Sequence, residues 1–236
     1  MRNQRFTRTL RKLAKVDPGY QAQFGERLPE SLAELVNRLQ AALPKEFVIG
    51  TLSQLIWAGA SARDRRHALF VLWQFAKTAE SDETARWATY DLSFSFEPRA
   101  APLLLDLLID TQRPAAVRVQ AAEGIGDCVP QHVVRRHRSR LYRRCAAALV
   151  AALDDPHPDV RFFAAFSLGK LRARTALPRL RQLAEYDKGQ SSSLWSVKEE
   201  AVDAIHSIEH GRSPDPDACE RTGWPNQSQP ACEATG

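Results

Sequence analysis

Sliding the chain 43 residues along itself lays Val117-Arg118, Ala121-Ala122 and Gly126 on Val160-Arg161, Ala164-Ala165 and Gly169. The same frame recurs 37 residues later, with Val197-Lys198 and Ala201 in register, and a weaker copy begins 32 residues before Val117, at Ala85-Arg86. Periods of this size belong to helical hairpin repeats. A hairpin of two helices cannot bury its own apolar face, so each must stack on its neighbours. The chain is thereby predicted to be all-α, an α-solenoid of stacked helical hairpins.

Within the unit at 159–171, Val160, Phe163, Ala164, Leu168 and Leu171 recur at helical spacing, and Pro156 and Pro158 beside Asp159 mark a helix start. The partner helix carries Leu177, Leu180 and Leu183 around Pro178. Upstream, three more stripes read as helices. They are Leu32, Leu35, Val36, Leu39 and Leu43; then Phe47, Leu52, Leu55 and Ile56; then Ala68, Leu69, Leu72, Phe75 and Ala76, the last opened by Ser61 as N-cap. The pattern divides the chain into a basic arm at 1–28, the solenoid at 29–211 with its clearest repeats over 82–210, and a tail at 212–236. The tail is rich in Pro, Ser, Asp and Gly, and is expected to be disordered.

The string Asp159-Val160-Arg161, Ala164-Ala165, Leu168-Gly169, Leu171, followed by Ala176-Leu177-Pro178, resembles the HEAT-like repeat first associated with phycobilisome lyases. The resemblance covers residues 82–210. It implies a right-handed α-solenoid used as an adaptor or as a platform for a protein or large ligand, and it does not imply lyase activity.

No run approaches the roughly 18 apolar residues that a membrane helix needs, and the N-terminus has no apolar core behind its charges, so no membrane partner and a cytoplasmic location are expected. Cys128, Cys145, Cys219 and Cys232 lack metal or disulfide spacing and read as free thiols, so no metal and no cofactor are expected. The formal charge is +5, carried by 26 Arg and 7 Lys. Arg forks onto carboxylate or phosphate and so favours an acidic partner, although the codon bias of a GC-rich genome produces the same excess.

Several strings invite chemical readings. His206-Ser-Ile-Glu209-His210 matches the H-x-x-E-H helix motif of zinc enzymes. Such sites need a further acidic ligand downstream, and the solvated end of a last helix explains the string as well. HEAT-like iron enzymes that hydroxylate deoxyhypusine carry His-Glu dipeptides, and this sequence has none. The HEAT-like alkylpurine DNA glycosylases place a Trp and an Asp four residues later in their cleft, a spacing that Trp87 and Asp91 reproduce. The alternative for that pair is Trp87 buried between hairpins with Asp91 solvated. The cations Arg86, Arg118, Arg161 and Lys198, one per repeat, read as stacking rungs, with Asp159 a candidate partner.

The densest functional signal lies between Gln131 and Cys145, where six Arg occur without an acidic residue. Arg136, Arg140, Arg143 and Arg144 share one helical face, with Leu141, Ala148, Leu149 and Ala152 available to the buried side. In the next unit Arg172, Arg174, Arg179 and Arg181 lie on or around the second helix, and Arg179 and Arg181 extend the expected basic concave surface. The reading is a non-catalytic interaction scaffold that grips an acidic protein surface or segment through Arg136, Arg140, Arg143, Arg144, Arg179 and Arg181. The alternative is nucleic-acid binding, including a DNA glycosylase using Trp87 and Asp91. The scaffold reading requires no catalytic residue.

Overall fold

Polar side chains cap several helix starts, while two other helices open on a proline in the first turn with no side-chain cap. The computed structural model describes residues 34, 45–57, 61–128, 139–192 and 195–211. Among them are nine α-helices: α1 (Lys45–Trp57), α2 (Ala62–Thr78), α3 (Asp82–Ser93), α4 (Ala101–Ile109), α5 (Ala115–Cys128), α6 (Arg140–Ala152), α7 (Pro158–Leu171), α8 (Leu177–Tyr186) and α9 (Val197–His210). A 3-10 turn, Arg174–Ala176, precedes α8, and the described residues contain no strand beyond an isolated bridge between Gln190 and Ser196. The fold class is all-α, of the α-solenoid kind. The expectations for the arm at 1–28, the stripe Leu32 to Leu43 and the tail at 212–236 fall outside the described residues.

Ser61 accepts a hydrogen bond from the Asp64 N–H at 3.2 Å and opens α2, as the sequence predicts. Ser81 does the same for α3 and His157 for α7. At α9 the Ser196 hydroxyl and Glu199 carboxylate form a reciprocal capping box. Each cap satisfies N–H groups that the first turn leaves without a helical partner.

The chain divides into two compact units, Met1–Ala148 and Leu149–Gly236, and α6 runs across the boundary. In the first unit α1 packs on α2 and α3, α2 on α3 and α4, and α5 on α3 and α4. Contact with near neighbours in sequence is what a stack of hairpins produces. The α2 stripe Ala68, Leu69, Leu72, Phe75 and Ala76 is buried throughout, joined by Val71. Helices α3 and α5 approach closely because Gly124 has no side chain. A Cβ there would lie 2.9 Å from Ser93 Cα. In the space so freed, the buried Ser93 hydroxyl shares its proton between Thr89 O at 2.8 Å and Gln120 O at 2.9 Å, and Cys128 Sγ donates to Ser93 O at 3.1 Å.

In the second unit α9 packs on α7 and α8. Gly169 sets the α7 to α9 distance, since a Cβ there would lie 3.1 Å from Ala204 Cα. Helix α7 buries Phe162 and leaves Phe163 half-buried, so the core position is one residue earlier than the stripe suggested. Helix α7 ends in a Schellman-type turn, with Ala173 N bonded to Leu168 O and Arg172 N to Gly169 O, both at 3.0 Å. Arg172 takes the left-handed conformation there, with φ of 50°, where glycine is usual. Its guanidinium reaches the carbonyl of Gly211 at 2.6 Å.

Two of the four repeated cations, Arg161 and Arg118, are bonded within the described residues. Arg161 donates through Nε and Nη2 to both oxygens of Asp187, at 2.8 and 3.0 Å, and through Nη1 to the carbonyls of Asp155 and Pro156. Arg118, only 7% exposed, donates to the carbonyl of Arg113. Asp159, nominated as a rung partner from the sequence, instead accepts from the Ser192 N–H at 2.6 Å. Arg86 and Lys198 are exposed.

Candidate functional site

Ser139 Oγ accepts from the Tyr142 N–H at 3.1 Å in the first turn of α6. The helix buries Tyr142, Cys145, Ala146 and Leu149. Of the residues the sequence gave to its buried side, Leu149 is fully covered while Leu141, Ala148 and Ala152 are half-buried. This rotation leaves Arg140, Arg143 and Arg144 exposed on a helix with no acidic residue, and none of the three has an ion pair among the described residues. Arg136 lies outside the described residues. Burial pushes the Cys145 thiol up to about 11, against the pull of the Arg144 charge. It pushes Cys128 up to about 12. Both are packing residues at neutral pH, without the thiolate that reactivity requires.

The two arginines expected to extend this surface are already engaged within the second unit. Arg179 pairs with Asp154 and donates to Gln182 at 2.9 Å. Arg181 donates to Glu209 at 2.8 Å. Intrachain carboxylates 25 and 28 residues away in sequence thus neutralise both.

Helix α3 carries a different surface. Thr84, Ala85, Ala88, Thr89 and Leu92 face inward, which turns Arg86, Trp87, Tyr90 and Asp91 outward at helical spacing. Trp87 is 42% exposed, and the Arg86 guanidinium lies over its ring at 5.2 Å. From there the rings run on in contact: Trp87 to Tyr90 at 5.7 Å, Tyr90 to Phe94 at 4.5 Å, Phe94 to Phe96 at 5.8 Å and Phe96 to Trp57 at 5.6 Å. Phe96 and Trp57 are 47% and 61% exposed. Phe96 has φ of 47°, a conformation an aromatic residue rarely adopts. Its neighbours impose it: Ser95 Oγ donates to Leu92 O at 2.7 Å, while Arg65 and Arg99 hold the Glu97 carboxylate at 2.6 and 3.8 Å.

Burial alone pushes the half-buried Asp91 carboxyl up to about 6. Among the described residues Asp91 has no hydrogen bond or ion pair. The bland alternative is therefore inverted: Trp87 is the exposed member and Asp91 the sheltered one. The sequence reading found Trp87 and Asp91 but missed Tyr90, Phe94, Phe96 and Trp57. The available signal was Phe94-Ser95-Phe96 just after a helix and before Pro98, where large rings have no core to enter.

His206 and His210 stack at 4.4 Å on α9, and Glu209 is taken by Arg181. Ile208 is buried and Ile205 half-buried, so the string is the outer face and end of α9. Among the described residues no three His, Cys, Asp or Glu side chains cluster as a metal would require. No helix among them is long and apolar enough to cross a membrane.

The family model for HEAT repeats matches residues 101–205 and, overlapping, 146–221, together just over half of the chain, which therefore belongs to the HEAT-repeat family. A solved structure of human deoxyhypusine hydroxylase in complex with glycerol is similar at 15% identity, covering 78% of this chain and 92% of that one, with a TM-score of 0.25. At that score the likeness carries nothing about activity. No curated protein matches the sequence.

Proposed function

We propose that this protein is a non-catalytic interaction scaffold that binds an acidic segment of a partner protein through the exposed arginine face of α6. The observation that carries this is the set Arg140, Arg143 and Arg144, turned to solvent on one helix with no described carboxylate to neutralise them. Guanidinium groups so placed repel one another and gain when forked onto carboxylates. Arg179 and Arg181 pair with Asp154 and Glu209 within the second unit, so the arginines of α6 alone carry the binding. The motif at Asp159 to Pro178 supports placing the repeats with the phycobilisome-lyase type, and a cytoplasmic location fits the free thiols.

Replacing Arg140, Arg143 and Arg144 together by Gln tests the reading. Affinity for a glutamate-rich peptide, followed by anisotropy, should fall about tenfold or more, with the melting temperature unchanged because exposed charges add little stability. Unaltered affinity in a folded sample would sink the proposal. The second reading, nucleic-acid binding, rests on Trp87, exposed beside Asp91 and available to stack on a base. It gains only if partner capture by the chain is abolished by nuclease.

A further inference from the structure

The aromatic row on the first unit is too continuous to be a scatter of exposed apolar residues. Each of its five rings touches the next, from Trp87 through Tyr90, Phe94 and Phe96 to Trp57. Single exposed apolar residues need no explanation, whereas a contiguous patch marks an interaction site. One of the rings, Phe96, is held half-exposed in a left-handed conformation that sterics oppose. The row also ends beside a carboxyl that lacks a donor among the described residues, that of Asp91.

The charge at that end selects the ligand. Burial pushes the Tyr90 phenol up, and the charges of Asp91 and Glu123 push it further, so the surroundings of this ring are negative. Glu83 is exposed one turn before Trp87. The nearby cations are committed: Arg86 lies over the Trp87 ring, and Arg65 and Arg99 hold Glu97. A phosphate backbone would meet a negative field here, while a cation would find an ionisable carboxylate beside two aromatic rings, the arrangement that strengthens cation–π contact.

We propose that this face docks a protein segment in which an arginine or lysine stands beside apolar residues. The cation meets Asp91 next to Trp87 and Tyr90, and the apolar side chains lie on Phe96 and Trp57. This surface is separate in chemistry from the arginine face of α6, and its test does not depend on that reading.

The test uses the full chain with a fluorescent dodecapeptide of arginines among leucines and glycines, its Arg→Gln analogue, and a thymidine oligonucleotide of equal length. The arginine peptide should bind about tenfold tighter than its neutral analogue. Asp91→Asn should abolish that preference while the chain stays folded by circular dichroism, and Trp57→Ala should weaken both peptides about equally. Should Asp91→Asn prove unstable, Phe96→Ala, which lies in a turn, supplies the apolar arm alone. Three results overturn the proposal: a preference that survives Asp91→Asn, oligonucleotide binding that is lost in Trp87→Ala and strengthened in Asp91→Asn, or a dimer that sedimentation shows to dissociate in Trp57→Ala. The last two would assign the face to nucleic acid or to a second copy of this chain.

Discussion

Arg86 of α3 and Arg161 of α7 hold the same place in their repeats and serve opposite ends. Arg161 is drawn inward, where it ties Asp187 and two carbonyls ahead of its own helix. Arg86 stays at the surface over Trp87. The carboxyls differ in parallel. Burial alone would raise Asp187, but hydrogen bonds from Arg161 and the Gly189 N–H, with the charges of Arg161 and Arg179, hold it below the usual carboxylate range. Asp91, with burial and no donor, is pushed the other way, to about 6. One repeat uses its cation to lock a carboxylate in place, and the other lays its cation over Trp87 and leaves its carboxyl without a donor among the described residues.

That contrast is broken most directly at Arg161. Arg161→Gln leaves Asp187 sheltered without its fork, and should lower stability by about 2–3 kcal/mol in chemical denaturation, with peptide binding retained. A loss below about 0.5 kcal/mol would mean that the rung is ornamental.

The carboxyls sharpen the comparison through pH. Asp91 holds its proton more tightly when folded, so its contribution is full below about pH 4 and is lost as pH rises through about 6. Asp187 contributes above about pH 4 and loses that contribution as pH falls further. Asp91→Asn should therefore stabilise the chain at neutral pH by about 1 kcal/mol, solvent on the exposed part of the carboxyl limiting the gain, and flatten melting temperature between about pH 4 and 6. Asp187→Asn should instead flatten the profile below about pH 4. Matching profiles for the two variants would contradict the opposite directions. Smallest of all, Arg86→Gln should change stability by less than about 0.5 kcal/mol, measured in the same denaturation series.

The repeat frame was legible because its Ala-Ala and Gly positions mark close helix contact, as at Gly169, and only small residues allow it. Ser61 and the α2 stripe were legible for the same local reason. The partner of Arg161 was not, because Asp187 lies 26 residues on, across a whole helix, while Asp159 stood nearby and was spent on Ser192. Trp87 and Asp91 share a helical face by spacing, but which of the two is covered depends on neighbouring helices and not on α3. Arg179 and Arg181 looked like surface charge because Asp154 and Glu209 are remote in sequence. Phe96 gave no sign of its backbone, which Ser95 and Glu97 impose from either side.

Arg172 closes the second unit in a way that affects its motion. The residue both terminates α7 and holds the carbonyl of Gly211, itself the left-handed residue, at φ of 83°, that ends α9. One side chain thus stands over two helix termini 39 residues apart. Helix ends ordinarily fray independently and exchange their amide hydrogens first. Here opening at either end strips the other of its contact, so the last turns of α7 and α9 should exchange as one unit, and a chain carrying Arg172→Ala should exchange them at two separate rates.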